Sequence, residues 1–136
     1  MLTSLGPTLL VDIGFDPAYK PPPAGKTRPA PGLTGLVALV DTGAAESCID
    51  SLLAAQLKLP IVDRRKIAGA HGAQDVNVHL AQVFVPSLNW TMYGAFAGVH
   101  LAAGGQVHKA LIGRTFLQHF TMIYEGRTGN VTLSND

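Results

Sequence analysis

The sequence predicts a single all-β domain. Short apolar runs of strand length recur along the chain, and turn signals rich in Gly, Pro, Asn and Asp separate them. Only one or two segments have the length and spacing of short helices. With 136 residues, the chain is large enough for one core and small for two, so we expect one domain over residues 1–136.

The first predicted strand, Thr8 to Phe15, alternates loosely between apolar and polar residues. Six prolines follow in the fifteen residues from Pro17 to Pro31, which predicts a long exposed loop because proline cannot donate to a ladder. A proline-rich ligand for a partner domain is the alternative interpretation. Gly25-Lys26-Thr27 does not complete a phosphate-binding loop, because Lys20 occupies the required upstream glycine position.

The central stretch runs from Leu36 to Ile49. Its first five residues, Leu36 to Val40, predict a strand buried on both faces, because the run is short, continuous and branched. Asp41 follows at the strand end, where a carboxylate must be hydrogen-bonded, paired or protonated. Thr42 supplies a hydroxyl and Gly43 permits a tight turn. The tripeptide Asp-Thr-Gly also occurs in ordinary turns, so alone it does not define a site.

The elements after this turn alternate between short helices and hairpins. Asp50 or Ser51 is predicted to cap a helix from Leu52 to Leu57. Lys66 to Val85 predicts a hairpin whose tip, Gly69 to Ala73, is small and rich in glycine. The remaining predictions are strands at Trp90–Phe96 and Val107–Ile112, a helical segment at Thr115–Phe120, and a hairpin of Thr121–Tyr124 with Asn130–Leu133.

A second signature, Leu111-Ile112-Gly113-Arg114, lies about seventy residues after Val-Asp-Thr-Gly-Ala. Together the two resemble the retropepsin family of retroviral-type aspartic proteases, and the bacterial members above all. The resemblance covers roughly Gly35 to Leu133. It implies the acid-protease fold, a closed β-barrel with one lobe per chain, and a flap at the predicted hairpin tip. An ordinary surface hairpin is the alternative for that tip.

The resemblance also implies roles for individual residues. The catalytic loop would be Asp41, Thr42 and Gly43. Residues behind the loop would be Ile112, Gly113 and Arg114. The implied substrate-binding residues follow the catalytic loop, form the hairpin tip or precede the second glycine: Ala44, Ala45, Glu46, Cys48, Gly69, Ala70, His71, Gly72 and Leu111.

One position departs from the family pattern. Family members often carry an aspartate two residues after the glycine, paired with the arginine of the second signature, and here that position holds Ala45. Arg114 therefore needs another acceptor, and Glu46 is the nearest candidate in sequence.

Peptide hydrolysis without a metal or a covalent nucleophile needs a base to activate water and an acid to protonate the leaving amide. Two carboxylates about 3 Å apart do both, because they share one proton. The chain contains one Asp-Thr-Gly, so the resemblance implies a homodimer that brings Asp41 of each copy to the two-fold axis and takes a peptide or protein substrate.

Composition argues against several other classes of protein. A net charge of +1 gives no electrostatic basis for binding nucleic acid or an anionic membrane. The five histidines lack the spacing of a zinc site, and we expect no cofactor. The single cysteine, Cys48, precludes an intrachain disulfide and is interpreted as a core thiol rather than a nucleophile. A cytoplasmic protein is therefore expected.

Three functional hypotheses remain at this point. The first is a homodimeric aspartic endopeptidase, and the second is a peptide-binding dimer of the same fold with little turnover. The third is an unrelated β-barrel in which the motif occurs by chance.

Overall fold

A closed ring of six strands forms the body of the protein. The computed structural model describes residues 6–19, 29, 32–69, 72–101 and 107–134. The strands are β1 Thr8–Gly14, β2 Leu33–Val40, β3 Cys48–Asp50, β4 Ile61–Gly69, β5 Gly72–Val85, β6 Trp90–Val99, β7 Ala110–Ile112, β8 Thr121–Glu125 and β9 Asn130–Ser134. The helices are α1 Ser51–Gln56 and α2 Arg114–Leu117, and a 3-10 turn spans Pro86–Leu88.

The ring closes because β1 pairs on both of its edges. The strand order is β1-β2-β7-β3-β6-β5, and β5 returns to β1 through Asp12↔Phe84 and Gly14↔Gln82. Strand β4 lies outside the ring and pairs with β5, while β8 and β9 form a separate two-stranded sheet. The predicted all-β class, with a closed barrel and few short helices, is confirmed.

Apolar side chains from every wall of the ring fill its interior. The largest fully buried ones include Ile13, Ile49, Met92, Phe96 and Ile112. Burying such a side chain contributes about 1.5–3 kcal/mol each, so this interior is the main source of rigidity for the loops attached to it.

Strand β7 lies between two strands that follow one another in the chain. It runs parallel to β2, with Val40↔Ile112, and antiparallel to β3, with Cys48↔Leu111. The connection from β2 to β3, residues 41–47, must therefore pass across the end of β7. This crossing places Asp41 beside the residues that follow Ile112.

Several element boundaries differ from the sequence predictions. Strand β2 begins at Leu33 instead of Leu36, and only Ala38 and Val40 are fully buried within the predicted run, so burial on both faces was wrong for a single chain. The first hairpin arm begins at Ile61 instead of Lys66, because the exposed charged residues Asp63 to Arg65 pair with β5 in the same register as the rest of the hairpin.

Other predicted elements are shorter than expected or lie outside the described residues. Of the predicted strand Val107–Ile112, only Ala110–Ile112 pairs, and the predicted helical segment is a single turn, Arg114–Leu117. Most of the proline-rich loop, residues 20–28 and 30–31, lies outside the described residues. No helix in the described ranges has the length and apolarity needed to cross a bilayer.

Asp50, not Ser51, caps helix α1. One oxygen of the Asp50 carboxylate, Oδ2, accepts a hydrogen bond from the Leu53 backbone N–H at 3.3 Å. The other, Oδ1, accepts from the Leu101 N–H at 3.1 Å. Since Asp50 is only 2% exposed, this carboxylate ties the helix to the end of β6 from inside the protein.

Replacement of Asp50 by alanine is expected to lower the free energy of unfolding by about 2–4 kcal/mol. The change removes a helix cap and leaves a buried N–H group without its acceptor. Urea denaturation of Asp50→Ala measures the loss. The matched control is Ser51→Ala, which loses only an exposed hydrogen bond to His100 and should cost less than about 1 kcal/mol. Equal losses in the two variants would contradict the assignment of the cap.

Candidate active site

Asp41 lies where the ladder between β2 and β7 ends. Its backbone N–H donates to the carbonyl of Ile112 at 2.9 Å, one residue beyond the last strand pair. Ile112 is fully buried, so the peptide group of Asp41 is attached directly to the core. Asp41 is half-buried, and the residues Thr42 and Gly43 are exposed.

The Asp41 carboxylate shapes the turn that follows it. Its Oδ1 accepts from the Gly43 N–H at 3.0 Å, and its backbone carbonyl accepts from the Ala44 N–H at 3.2 Å. The other carboxylate oxygen, Oδ2, has no hydrogen-bond partner among the described residues. One oxygen is therefore used to orient the group and the other is available for chemistry.

The residues that follow β7 bind this loop through backbone hydrogen bonds. The Arg114 N–H donates to the Ala44 carbonyl at 2.9 Å, and the Thr115 N–H donates to the Ala45 carbonyl at 3.2 Å. The Arg114 guanidinium also donates to the Thr42 carbonyl at 2.8 Å. These bonds hold successive peptide groups of the loop against the start of α2.

Ser47 completes the support, and the sequence analysis missed it. It is 1% exposed, and its hydroxyl accepts from the Gly113 N–H at 2.9 Å. The same hydroxyl lies 3.1 Å from the Thr115 Oγ1. The only sequence signal was a small polar residue directly before an apolar pair, which is equally typical of an exposed loop.

The sequence-based candidate partner of Arg114 was wrong. Arg114 bonds to the Thr42 carbonyl, whereas Glu46 forms an ion pair with Arg65 on β4. The reason is geometric. Arg114 begins α2 next to the loop, so its guanidinium reaches the Thr42 carbonyl, whereas the Glu46 side chain points toward the β4–β5 hairpin. This ion pair links the loop to the first arm of the β4–β5 hairpin.

Gly113 is required at its position because two backbone carbonyls approach it. A Cβ added there would lie 2.4 Å from the Glu46 carbonyl oxygen and 2.8 Å from that of Ala44. No side chain fits at such distances. The absence of a Cβ is what allows the loop and the start of α2 to come into hydrogen-bond contact.

Cys48 begins β3 and is half-buried. Burial raises the pKa of its thiol, and the carboxylates of Glu46 and Asp41 raise it further. A raised pKa disfavours the thiolate, which is the nucleophilic form. The thiol therefore fits the interpretation as a packing group beside the loop.

The structure brings the remaining predicted residues together only in part. Leu111 is half-buried on β7, next to the loop. Gly69 and Gly72 pair with each other at the end of the β4–β5 hairpin, as predicted for its tip. Ala70 and His71 lie outside the described residues. Within the described ranges, no three His, Cys, Asp or Glu side chains form a group that could hold a metal ion.

Comparison with known proteins agrees with this geometry at the level of the fold. No family model matches the chain, and no curated protein matches it. Among solved structures, the protease of EIAV, in complex with the inhibitor HBY-793, matches with a TM-score of 0.53 and 18% sequence identity. The match covers 83% of this chain and 86% of the EIAV chain. The chain has a retropepsin-like fold.

Replacement of Gly113 by alanine is expected to lower the free energy of unfolding by about 2–3 kcal/mol, because the new methyl group must displace the loop or the helix. Gly126→Ala is the matched control, since a Cβ there meets no atom within 4 Å. It should change stability by less than about 0.5 kcal/mol. Chemical denaturation compares the two, and a neutral Gly113→Ala would show that the loop is not packed on α2 as described.

Alkylation of Cys48 by iodoacetamide is expected to be slower than that of the same residue in the urea-unfolded chain at neutral pH. The raised pKa keeps the thiol protonated, so the rate should increase only as the pH rises into the alkaline range. Asp41→Asn removes one of the negative charges that raise this pKa and should speed the reaction. Fast alkylation at neutral pH would contradict the assigned environment.

Proposed function

We propose that the chain is an aspartic endopeptidase that works as a homodimer. The observation that carries the proposal is the Asp41 carboxylate at the end of a core strand, which is fixed through Oδ1 and whose Oδ2 has no hydrogen-bond partner in the described part of the chain. It lies on a rigid platform in a retropepsin-like fold.

The proposed chemistry uses one Asp41 from each of two copies. One carboxylate accepts a proton from a water molecule as that water attacks the peptide carbonyl, and the other, protonated, donates to the leaving amide. Because both states are needed at once, the rate should fall when both groups are protonated and again when both are ionised.

A second copy is needed because one chain supplies one such loop. The sequence contains a single Asp-Thr-Gly, so a dyad requires two-fold symmetry. The β8–β9 sheet supports this proposal, because one of its two faces is exposed in the single chain. Met122, Val131 and Leu133 pack against the core from one face, whereas Ile123 on the opposite face is 59% exposed.

The substrate is proposed to be an extended peptide between the loop and the β4–β5 hairpin. The ion pair between Glu46 and Arg65 joins these two walls at one end of the space. Gly43, whose N–H donates to Asp41 Oδ1, is proposed to accept from the substrate backbone through its carbonyl. The hairpin tip would act as a lid that excludes water during hydrolysis.

A peptide-binding dimer with little turnover is the second candidate. The observation that favours it is Ala45, which removes the carboxylate that usually pairs with the arginine of the second signature. Arg114 is engaged instead by a carbonyl of its own chain. The two candidates differ in hydrolysis and not in fold or symmetry.

Asp41→Asn is expected to lower hydrolysis of a peptide library by at least about 10²-fold, because the amide keeps the shape of the side chain but cannot act as a base. Asp63→Asn makes the same chemical change at an exposed carboxylate on β4 and should leave the rate within about twofold.

Solution mass by light scattering completes the experiment, since both variants and the wild type should be dimers. Activity of Asp41→Asn within about tenfold of wild type would disprove the catalytic role. A wild-type dimer that binds peptides without cleaving them would favour the second candidate, and a stable monomer would contradict both.

A further inference from the structure

The first half of β5 has a partner on one edge only. Strand β5 pairs with β4 from Gly72 onward, but its pairing with β6 begins at Val78↔Ala97. From Ala97 to Val99, β6 pairs on its other side with β3. Residues Ala73 to Asn77 therefore have an edge on which no strand of the described chain lies.

The hairpin register shows which backbone groups face this open edge. A two-residue connection makes Gly69 and Gly72 a hydrogen-bonded pair, so even-numbered residues of β5 direct their N–H and C=O groups toward β4. The bond from the Leu80 N–H to the Pro60 carbonyl, 2.9 Å, agrees with this parity. Ala73 and Asp75 therefore direct theirs to the open edge, and so does the N–H of Asn77, whose carbonyl lies against Gly98 at the end of the β5–β6 ladder.

A groove of about 890 Å³ lies beside that edge. One wall is Gln74 to Asn77 of β5, and the opposite wall is Gly98 to His100 with helix α1 and the residue Lys58 after it. The volume is in the range that holds several side chains of a bound ligand. The open backbone edge and the groove thus form one continuous surface.

The floor of the groove carries a buried imidazole. His79 is 6% exposed, and its Nδ1 lies 3.2 Å from the Leu59 carbonyl oxygen. A carbonyl can only accept, so Nδ1 carries a hydrogen and donates it to Leu59. Nε2 has no hydrogen-bond partner among the described residues. Gly98 leaves room at this nitrogen, because a Cβ there would lie 3.2 Å from it.

The two edges of the hairpin differ in how they oppose strand addition. The outer strand, β4, carries four consecutive charged residues, Asp63 to Lys66, and such charges are a common protection of edge strands. The open edge of β5 offers Ala73, Asp75 and Asn77, with a groove for the side chains of an added strand. Strand addition is thus discouraged on β4 and accommodated on β5.

We propose that this edge and groove bind an extended segment of the polypeptide substrate, which adds to β5 as a further strand. Unpaired N–H and C=O groups at every second residue match the backbone of an extended chain and of no compact ligand. Ala73 to Asn77 span about 17 Å, at about 3.3 Å per residue, directly behind the hairpin tip. The proposal rests on the proposed function and assigns unfolded proteins as its substrate class, docked outside the Asp41 loop.

The decisive variants are Asp75→Pro and Asp75→Ala. Proline removes the Asp75 N–H, which faces the open edge and is not used in the ladder with β4, so the hairpin should persist. Alanine removes the same carboxylate and keeps the N–H. The substrates are β-casein, which is long and unfolded, and an octapeptide from a cleavage site in it, which is too short to reach the groove.

We expect Asp75→Pro to raise the KM for β-casein at least about threefold and to leave kcat unchanged. A rise of this size corresponds to the loss of one or two hydrogen bonds. Cleavage of the octapeptide should stay within twofold of wild type in both variants, and Asp75→Ala, which keeps the N–H, should raise the KM for β-casein less than Asp75→Pro does. Equal effects of proline and alanine, or an equal effect on both substrates, would overturn the proposal.

A binding measurement separates this proposal from the proposed function, because it needs no turnover. In Asp41→Asn, added β-casein should slow amide exchange at Ala73, Asp75 and Asn77, measured residue by residue by NMR. This result would support docking even if the wild type proved inactive. Unchanged amide exchange at these three residues would overturn the proposal. Exchange that slows with the concentration of the protein itself, and not with added β-casein, would overturn it too, because it would show that a second copy of the chain occupies the edge.

Discussion

The structure depends on the contact between the loop after β2 and the turn after β7. Four peptide groups of the loop and one buried hydroxyl bond to residues 112–115, and a glycine without a Cβ makes the approach possible. Each such bond contributes about 0.5–1.5 kcal/mol, but together they hold one carboxylate in one orientation. The barrel supplies the rigid base for this contact, since Ile112 belongs both to the core and to the residues that bond to the loop.

The strand order explains why this contact exists. Because β7 lies between β2 and β3 in the sheet, the loop that joins β2 to β3 has to cross the end of β7. The Asp41 carboxylate therefore lies where β2 and β7 both end. A loop joining neighbouring strands of a meander would have no such support. The buried Ser47 ends this crossing and the half-buried Cys48 directly follows it. The carboxylate of Asp41 is therefore near enough to raise the pKa of the Cys48 thiol.

The β4–β5 hairpin connects the loop with the rest of the surface. Its outer arm reaches Glu46 through Arg65, and its inner arm continues from the tip into the ring. One hairpin thus contributes an ion pair to the loop and, on its other edge, borders a groove where no strand of the described chain pairs with it. The loop and the groove are therefore connected through the same hairpin.

Much of the fold could be read from local patterns, since alternation, proline and glycine signals act within a few residues of their own position. The sequence alone determined the all-β class, most strands, the Asp41 turn and the resemblance that relates it to Gly113. It did not reveal Ser47, the acceptor of Arg114 or the open edge of β5. These three features depend on which strands become neighbours, and only the tertiary structure decided the strand order. The physical reason is that a hydroxyl or a guanidinium bonds to any suitable group that long-range packing brings within about 3 Å.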